Sequence, residues 1–403
     1  MHVCRIVRKE DLRNKKVLVR VDFNVPMENG IVRDSSRIKN ALPTIKFLKD
    51  AGAKIILASH LGKTARFNHE QSLKNIVDVV AREYDSEIIF VEDCLAENAG
   101  AIINAAPSHD IILLENLRFY SGEESCDEEF AKRLATLADF YINEAFSVSH
   151  RRHASIFALP RFLPHAFGLS FLKEINVIDN FFQNSQSPKM GIVGGAKLTT
   201  KVNLLKNLVK KIDKLALGGG IAGVFLSLLK KHSFNVPNVD DYRQEVAEIA
   251  ESAQQHNCEL ILPIDFSALV CQEESQKAII SSEDNGVSIF DIGPNSIELF
   301  KKHLKESKVL LWNGPVGLFE KAPFDFGTAS IAKEVAQLTR SGQLKSIIGG
   351  GDTGFAMNKF NVAQDMSYIS TAGGAFLSYL EGEELPGILA MKNAHILESA
   401  NLF

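Results

Sequence analysis

The stretch KMGIVGGAKLTTKVNLLKNL (189–208) reads as a short apolar strand that breaks at Gly194 and Gly195 and passes into a helical pattern. Three further apolar runs end the same way: KLALGGG (214–220), SIIGGG (346–351) and YISTAGG (368–374). The corresponding runs earlier in the chain end in charged and polar residues instead, at KVLVRVDFN (16–24), KIILASHLGK (54–63), IILLENLRF (111–119) and DFYINEAFSVSHRRH (139–153). Short Val, Ile and Leu runs alternating with helical stretches such as IKNALPTIKFLKDAG (38–52) predict βαβ units and parallel sheets. Ligands of open parallel sheets bind outside the carboxyl ends of the strands, so two kinds of ending predict two kinds of site. Bare backbone amides suit nucleotide phosphates, whereas Arg, Lys and His suit a small anion. One chain with both edges reads as a two-substrate transferase.

A chain of 403 residues exceeds what one hydrophobic core usually serves, and two domains of roughly 150–200 residues are expected. The polar, proline-containing break at the end of FLKEINVIDNFFQNSQSPKM (171–190) places the division there. This predicts a first domain over 1–170, a linking helix over 171–187, a second domain over 188–387 and a tail over 388–403 whose apolar residues, at helical spacing, need a surface to cover. Hydrophobic content of 45%, charged content of 23% and a mean hydropathy near zero exclude a disordered or membrane class. The N-terminal MHVCRIVRKEDLRNKK lacks the apolar segment of a secretion signal, so the cytoplasm is the expected compartment. A net charge of −4 argues against nucleic-acid or membrane partners and makes any basic site a local one. The five cysteines, Cys4, Cys94, Cys126, Cys258 and Cys271, form no C-x-x-C pair and read as reduced packing residues.

In the glycine-ended half, Lys197 and Lys201 lie four residues apart at the entrance of the predicted helix, where backbone amides, helix dipole and ammonium groups would together hold phosphate oxygens. The same glycines also permit plain strand-to-helix packing with the lysines in water. Gly218-x-Gly220-x-x-Gly223 and Gly349-x-Gly351-x-x-Gly354 both fit the dinucleotide pattern, with Asp240 about twenty residues beyond the first. They carry a rival reading, a nicotinamide-dependent oxidoreductase, although that fingerprint normally sits on the first strand of a domain. In IIGGGDTGFAMNKF, Asp352 and Thr353 are either helix caps or, respectively, a hard oxygen for Mg²⁺ and a phosphate contact. The loop in VLLWNGPVGLFEKAPF (309–324) holds Trp312, Asn313 and Glu320, placed to wall a purine and accept from ribose hydroxyls, or else it is simple turn chemistry.

In the charge-ended half, Asp22 and Asn24 alternate along RVDFNVP and so share a side, fit for a substrate hydroxyl or for capping the turn. Arg37, His60, Lys63, Arg118 and Arg151 fall at or just after strand ends in successive βα units. A parallel sheet would bring these five cations to one edge, although any single one is an ordinary surface charge by itself.

Over nearly its whole length the chain resembles the phosphoglycerate kinase family. The resemblance rests on RVDFNVP, RIKNALPTI, SHLG, LLENLRF, AFSVSHRRHAS, GGAKLTTK, GGGIAGVFL, LPIDF, DIGPNS, WNGPVGLFE, GGGDT and STAGGA, in that order. It implies reversible phosphoryl transfer from 1,3-bisphosphoglycerate to MgADP, giving 3-phosphoglycerate and MgATP. The implied fold is α/β, with two Rossmann-like domains whose parallel sheets face a hinged cleft and a C-terminal tail that returns to the N-terminal domain. It also implies that Asp22, Asn24, Arg37, His60, Lys63, Arg118 and Arg151 bind phosphoglycerate. Lys197, Lys201, Gly219, Gly220, Asn313, Glu320, Gly349, Gly350, Gly351, Asp352 and Thr353 then surround the nucleotide, with Asp352 toward Mg²⁺ and with Arg37 and Lys197 flanking the phosphoryl group in flight. A monomer suffices for such a site.

The chain departs from the family's pattern in places. Lys63 replaces an arginine of the phosphoglycerate pocket, keeping the charge without the bidentate fork; Arg66 lies close by in sequence. Glu144 replaces an aspartate, and Ser147, Val148 and Ser149 alter the residues after it, an expected change to the same rim. Ala372 replaces a glycine, which would cost about 1 kcal/mol if its φ were positive. These departures leave a third possibility, a binding protein without catalysis.

Overall fold

Val17, Leu18 and Val19 are all fully buried, so the strand Lys16–Arg20 has apolar neighbours on both faces, as a central strand of a covered parallel sheet requires. The computed structural model describes residues 6–63, 66–229, 234, 238–269, 277–281, 288–391 and 395–397. The chain divides into two compact units, Met1–Asn176 with Glu384–Phe403, and Val177–Glu383. The division falls inside the helix Leu169–Gln183.

In the first unit eight strands form one sheet in the order Ile6–Val7, His395–Leu397, His165–Phe167, Phe140–Asn143, Lys16–Arg20, Lys54–Ala58, Ile111–Leu114, Ile88–Val91. Every pairing in it is parallel. Lys16–Arg20 sits near the middle, with Arg20 level with Ala58 on one neighbour and Asn143 on the other, so the loops leaving these strands emerge together. The core beneath joins Val17, Val19, Phe23, Ile45, Leu48, Ile55, Leu57, Leu113 and Ile142. The tail differs from its expected helical form. After a short helix, Pro386–Ala390, residues 395–397 extend the sheet as a strand, which gives their backbone groups partners on both sides.

The second unit carries six parallel strands in the order Glu259–Ile261, Lys214–Leu217, Lys189–Val193, Val309–Asn313, Lys345–Gly349, Tyr368–Ile369. Met190, Ile192, Leu310, Trp312 and Ile348 fill its core with Phe300 and Ile331 of the covering helices. An antiparallel sheet of Lys277–Ser281, Asp265–Leu269 and Ile289–Ile292 adds to the expected parallel architecture. Asp265 fixes the start of the helix Pro294–Glu306 by accepting from the backbone of Asn295 at 2.9 Å and Ser296 at 2.7 Å.

Among the described residues, Cys94 and Cys258 are buried free thiols and Cys126 is half-buried; Cys4 and Cys271 lie outside the described residues. No helix among those residues is long and apolar enough to cross a membrane.

Candidate functional site

At the carboxyl edge of the first unit's sheet, alternation in RVDFNVP drives Val21, Phe23 and Val25 into the core and leaves Asp22 and Asn24 on the opposite side. One Asp22 oxygen takes a 2.6 Å ion pair from Arg37 and a hydrogen bond from the Ser147 hydroxyl; the other accepts from the Asn24 amide at 3.0 Å. Burial works against ionisation of Asp22, but the Arg37 guanidinium and the hydrogen bonds from Ser147 and Asn24 outweigh it and hold the carboxyl below its ordinary range. The side-chain oxygen of Asn24 accepts from Gly62 N–H at 2.9 Å and so fixes the loop that carries Lys63. Arg118 donates to the Gly62 carbonyl and pairs with Glu124 at 3.3 Å. Burial and the neighbouring charge of Arg151 lower the Arg118 pKa.

Asp22, Asn24, Arg37, His60 and Arg118 are thus brought together through direct contacts, and Arg151 through its charge. Lys63 is exposed at the end of the same loop. Arg151 is exposed and donates to His150 at 3.3 Å, whereas Arg152 lies over the Phe157 ring at 4.0 Å. His60 departs from the expectation of five cations. It is buried, and desolvation together with Arg20 drives its pKa well below 6.5, so it is a neutral imidazole at neutral pH.

Glu144 also differs from its expected place on the rim. It lies buried under the start of the helix Leu169–Gln183, accepting from the backbone of Ser170 at 3.2 Å and Phe171 at 3.4 Å. Thr44 completes this cap by accepting from Leu169 N–H at 2.8 Å while hydrogen-bonding Glu144. A β-carbon at Gly168 would sit 1.7 Å from a Glu144 oxygen, so only glycine leaves room for the carboxyl.

At the carboxyl edge of the second unit's sheet the strand ends are tied by backbone. Gly219, at φ +61°, begins the helix Gly219–Leu229 so close to Gly195 that a β-carbon would lie 2.8 Å from its carbonyl oxygen. Gly220 follows in the same turn. Lys197 and Lys201 are not neighbours on one helical face as expected, because a 3₁₀ turn, Leu198–Thr200, intervenes and the α-helix begins only at Val202. The Thr200 hydroxyl donates to the Lys197 carbonyl at 3.2 Å and stabilises that turn. Lys197 is exposed; Lys201 is half-buried and donates to the Asn313 side-chain oxygen. Asn313 is buried and its amide donates to Gly349 O at 2.8 Å, which orients Lys201 from within the protein. Burial lowers the Lys201 pKa while Glu381 and Asp352 oppose that shift.

Gly350, at φ +92°, caps the helix Gly351–Lys359, so Asp352 is its second residue and not its cap. That carboxylate is exposed beside Gly351, while Thr353 is buried and its hydroxyl accepts from Gly314 N–H at 2.7 Å. Trp312 does not wall a purine: it is fully buried in the core and donates to Gly314 O at 2.8 Å. Glu320 is exposed in the following loop. Ala372 escapes the expected strain, since the left-handed residue there is Gly373 at φ +53°.

Arg20 was missed by the sequence reading. Its signal was a lone charge closing a buried strand.

Comparison with known proteins gives the family. The family model described as phosphoglycerate kinase matches residues 7–383. The chain belongs to the phosphoglycerate kinase family. It is 45% identical over 384 residues to phosphoglycerate kinase of Wolbachia pipientis subsp. Culex pipiens, covering 94% of this chain and 96% of the relative. Phosphoglycerate kinase of Methylorubrum extorquens (strain PA1) is 43% identical over 387 residues, with 94% and 96% covered. The solved phosphoglycerate kinase of Coxiella burnetii superposes with a TM-score of 0.85 at 34% identity, covering 96% of this chain and 99% of that one. Membership makes the chain a kinase that moves a phosphoryl group between 1,3-bisphosphoglycerate and ADP, and leaves no place for the oxidoreductase reading of the paired glycine motifs.

Proposed function

We propose that the chain performs this transfer by holding phosphoglycerate on the basic edge of its first unit and MgADP or MgATP on the glycine-rich edge of its second. The observation that carries the reading is the contrast between the Arg37–Asp22–His60–Arg118 cluster and the backbone-lined strand ends that carry Lys197, Lys201 and Asp352. Asp22, Asn24, Arg37, His60, Lys63, Arg118 and Arg151 are the phosphoglycerate contacts. Lys197, Lys201, Gly219, Gly220, Glu320, Gly349, Gly350, Gly351 and Asp352 surround the nucleotide, with Asn313 and Thr353 supporting them from beneath.

The acceptor carboxylate of 3-phosphoglycerate is already ionised at neutral pH, so no general base is needed. What remains is to orient the two substrates and to place positive charge on the equatorial oxygens of a loose transition state, the task assigned to Arg37 and Lys197. Among the described residues no group of three or more His, Cys, Asp or Glu side chains could hold a metal by itself. One exposed carboxylate, Asp352, fits Mg²⁺ that takes its other ligands from phosphates and water, where the ion would neutralise charge on the nucleotide. Neither sheet edge needs a second copy of the chain, which supports a monomer, and the sequence supports a cytoplasmic enzyme.

A coupled assay tests the reading directly. Purified protein with MgATP and 3-phosphoglycerate should form ADP, with GTP and phosphoglycerate-free reactions run in parallel and EDTA abolishing the signal. Turnover no greater than that of an Arg37→Ala control would defeat it.

A further inference from the structure

Behind the substrate-facing residues of the first unit lies a buried polar chain. Arg20 closes the central strand with only 1% of its surface exposed, and each part of its guanidinium is committed. Nε donates to the Ser155 hydroxyl at 2.8 Å, Nη1 donates to the Val21 carbonyl, and Nη2 lies 3.3 Å from Nδ1 of His60. Glu123, wholly buried, supplies the counter-charge at 3.8 Å from Nη2. It is itself fixed by the Ser155 hydroxyl at 2.6 Å and the Ser155 amide at 2.9 Å. The Tyr141 hydroxyl donates to the Ser155 carbonyl at 2.7 Å and locks the segment in place.

Arginine can only donate a hydrogen bond, so the His60 nitrogen that it approaches must accept. Asp22 is the competing neighbour, at 3.9 Å from the same nitrogen, and would favour a proton there. That oxygen already receives the Asn24 amide and lies farther away than Arg20. Arg118 and His153 add to the surroundings that face the ring, and neither offers it an acceptor stronger than Asp22. The Arg20 and Asp22 contacts are both made at Nδ1, so the single proton of a neutral ring belongs on Nε2.

We propose that Arg20, held by Glu123 and Ser155, is a positioning residue that fixes His60 as the neutral Nε2–H tautomer, so that His60 presents a directed N–H donor to an anionic oxygen of the phosphoglycerate. This rests on the reading of His60 as a substrate contact. It assigns the pocket a division of labour: the arginines supply charge, while His60 supplies direction. A neutral donor also spares the pocket another positive charge beside Arg20 and Arg118.

Nitrogen NMR of the full-length protein labelled in histidine tests this without relying on turnover. At neutral pH the His60 ring should show one protonated and one unprotonated nitrogen, with the proton on Nε2. In Arg20→Met the ring should shift toward Nδ1–H or the imidazolium, and KM for 3-phosphoglycerate should rise roughly tenfold with a smaller change in kcat, the loss of one directed bond to an ion. Arg20→Lys, which restores a donor, should recover part of both. Should Arg20→Met fold poorly, Ser155→Ala, which keeps Arg20 but loosens it, should give a mixed-tautomer ring. A protonated Nδ1 in the unmodified protein, or an unaltered ring in every variant, overturns the proposal. Added 3-phosphoglycerate should perturb Nε2; an unmoved Nε2 with turnover intact overturns the donor role, whereas absent turnover overturns the kinase reading itself.

Discussion

The Lys201 ammonium group donates to the side-chain oxygen of Asn313, whose amide in turn donates to Gly349 O at 2.8 Å. A residue that reads in sequence as a nucleotide contact is therefore a brace between two strand ends and the lysine above them. Asn313→Ala should raise KM for ADP roughly tenfold, because a hydrogen bond to a charged group contributes about 1.5–3 kcal/mol. It should also lower the urea midpoint, since Gly349 O is left buried without its donor. Steady-state kinetics with ADP varied checks the first effect, and an unchanged KM would remove Asn313 from the nucleotide side altogether.

Arg37 is half-buried and Lys197 exposed, yet both are expected to act on the group in transfer. Arg37→Ala and Lys197→Ala should each lower kcat by about 10²–10³-fold, the usual cost of removing one transition-state donor. The two should differ in stability. Arg37→Ala strands the Asp22 carboxylate, whose side chain is only 9% exposed, without its ion-pair partner, whereas Lys197 is exposed and its removal buries no unpaired charge among the described residues. A change confined to KM in either variant would assign that residue to ground-state binding.

Much of this was legible from pattern alone. The alternation of strands and helices follows from runs such as KVLVR and KLAL, because a parallel strand buried on both faces must be apolar throughout. Asp22 and Asn24 were placed by the two-residue period of a strand. Local spacing says nothing of what a side chain meets across the fold, and there the reading failed. His60 counts as a cation until Arg20 and desolvation neutralise it, Trp312 belongs to the core, and Glu144 lies under a helix start and not on the rim. Lys197 and Lys201 were misjudged for a local reason, since nothing in their spacing distinguishes a 3₁₀ turn from the first turn of an α-helix.

Lys63 stands where the family carries an arginine, exposed at the end of the loop that Asn24 and Arg118 hold at Gly62. Because the loop is anchored by its backbone, Lys63→Arg should change the head group without moving its base. A guanidinium restores bidentate anion binding, and KM for 3-phosphoglycerate should fall about 2–10-fold with kcat little altered. A higher KM would show that the surrounding pocket has adapted to lysine.

Glu144 makes stability depend on pH in a direction opposite to that of the histidines. Burial pushes its pKa from 4.5 up to about 7, against the hydrogen bonds from Ser170, Thr44 and Phe171. The folded state therefore holds a proton that the unfolded chain has released, so the stabilisation is complete below about pH 4.5 and is lost as pH rises toward 7. A shift of this size in a fully buried group corresponds to on the order of 3 kcal/mol. His153, whose pKa burial and Arg20 lower from 6.5 to about 3, runs the other way: its contribution is present above pH 6.5 and lost as pH falls. Glu144→Gln keeps the shape and removes the titration. The variant should match the parent in urea midpoint near pH 5, then become progressively the more stable of the two as pH rises to 8. The neutral amide keeps an acceptor for the first amides of the helix Leu169–Gln183, whereas the carboxylate there must ionise in a buried place. A constant offset between the two proteins across that range would mean that Glu144 is already ionised at pH 5, its charge held by the helix terminus.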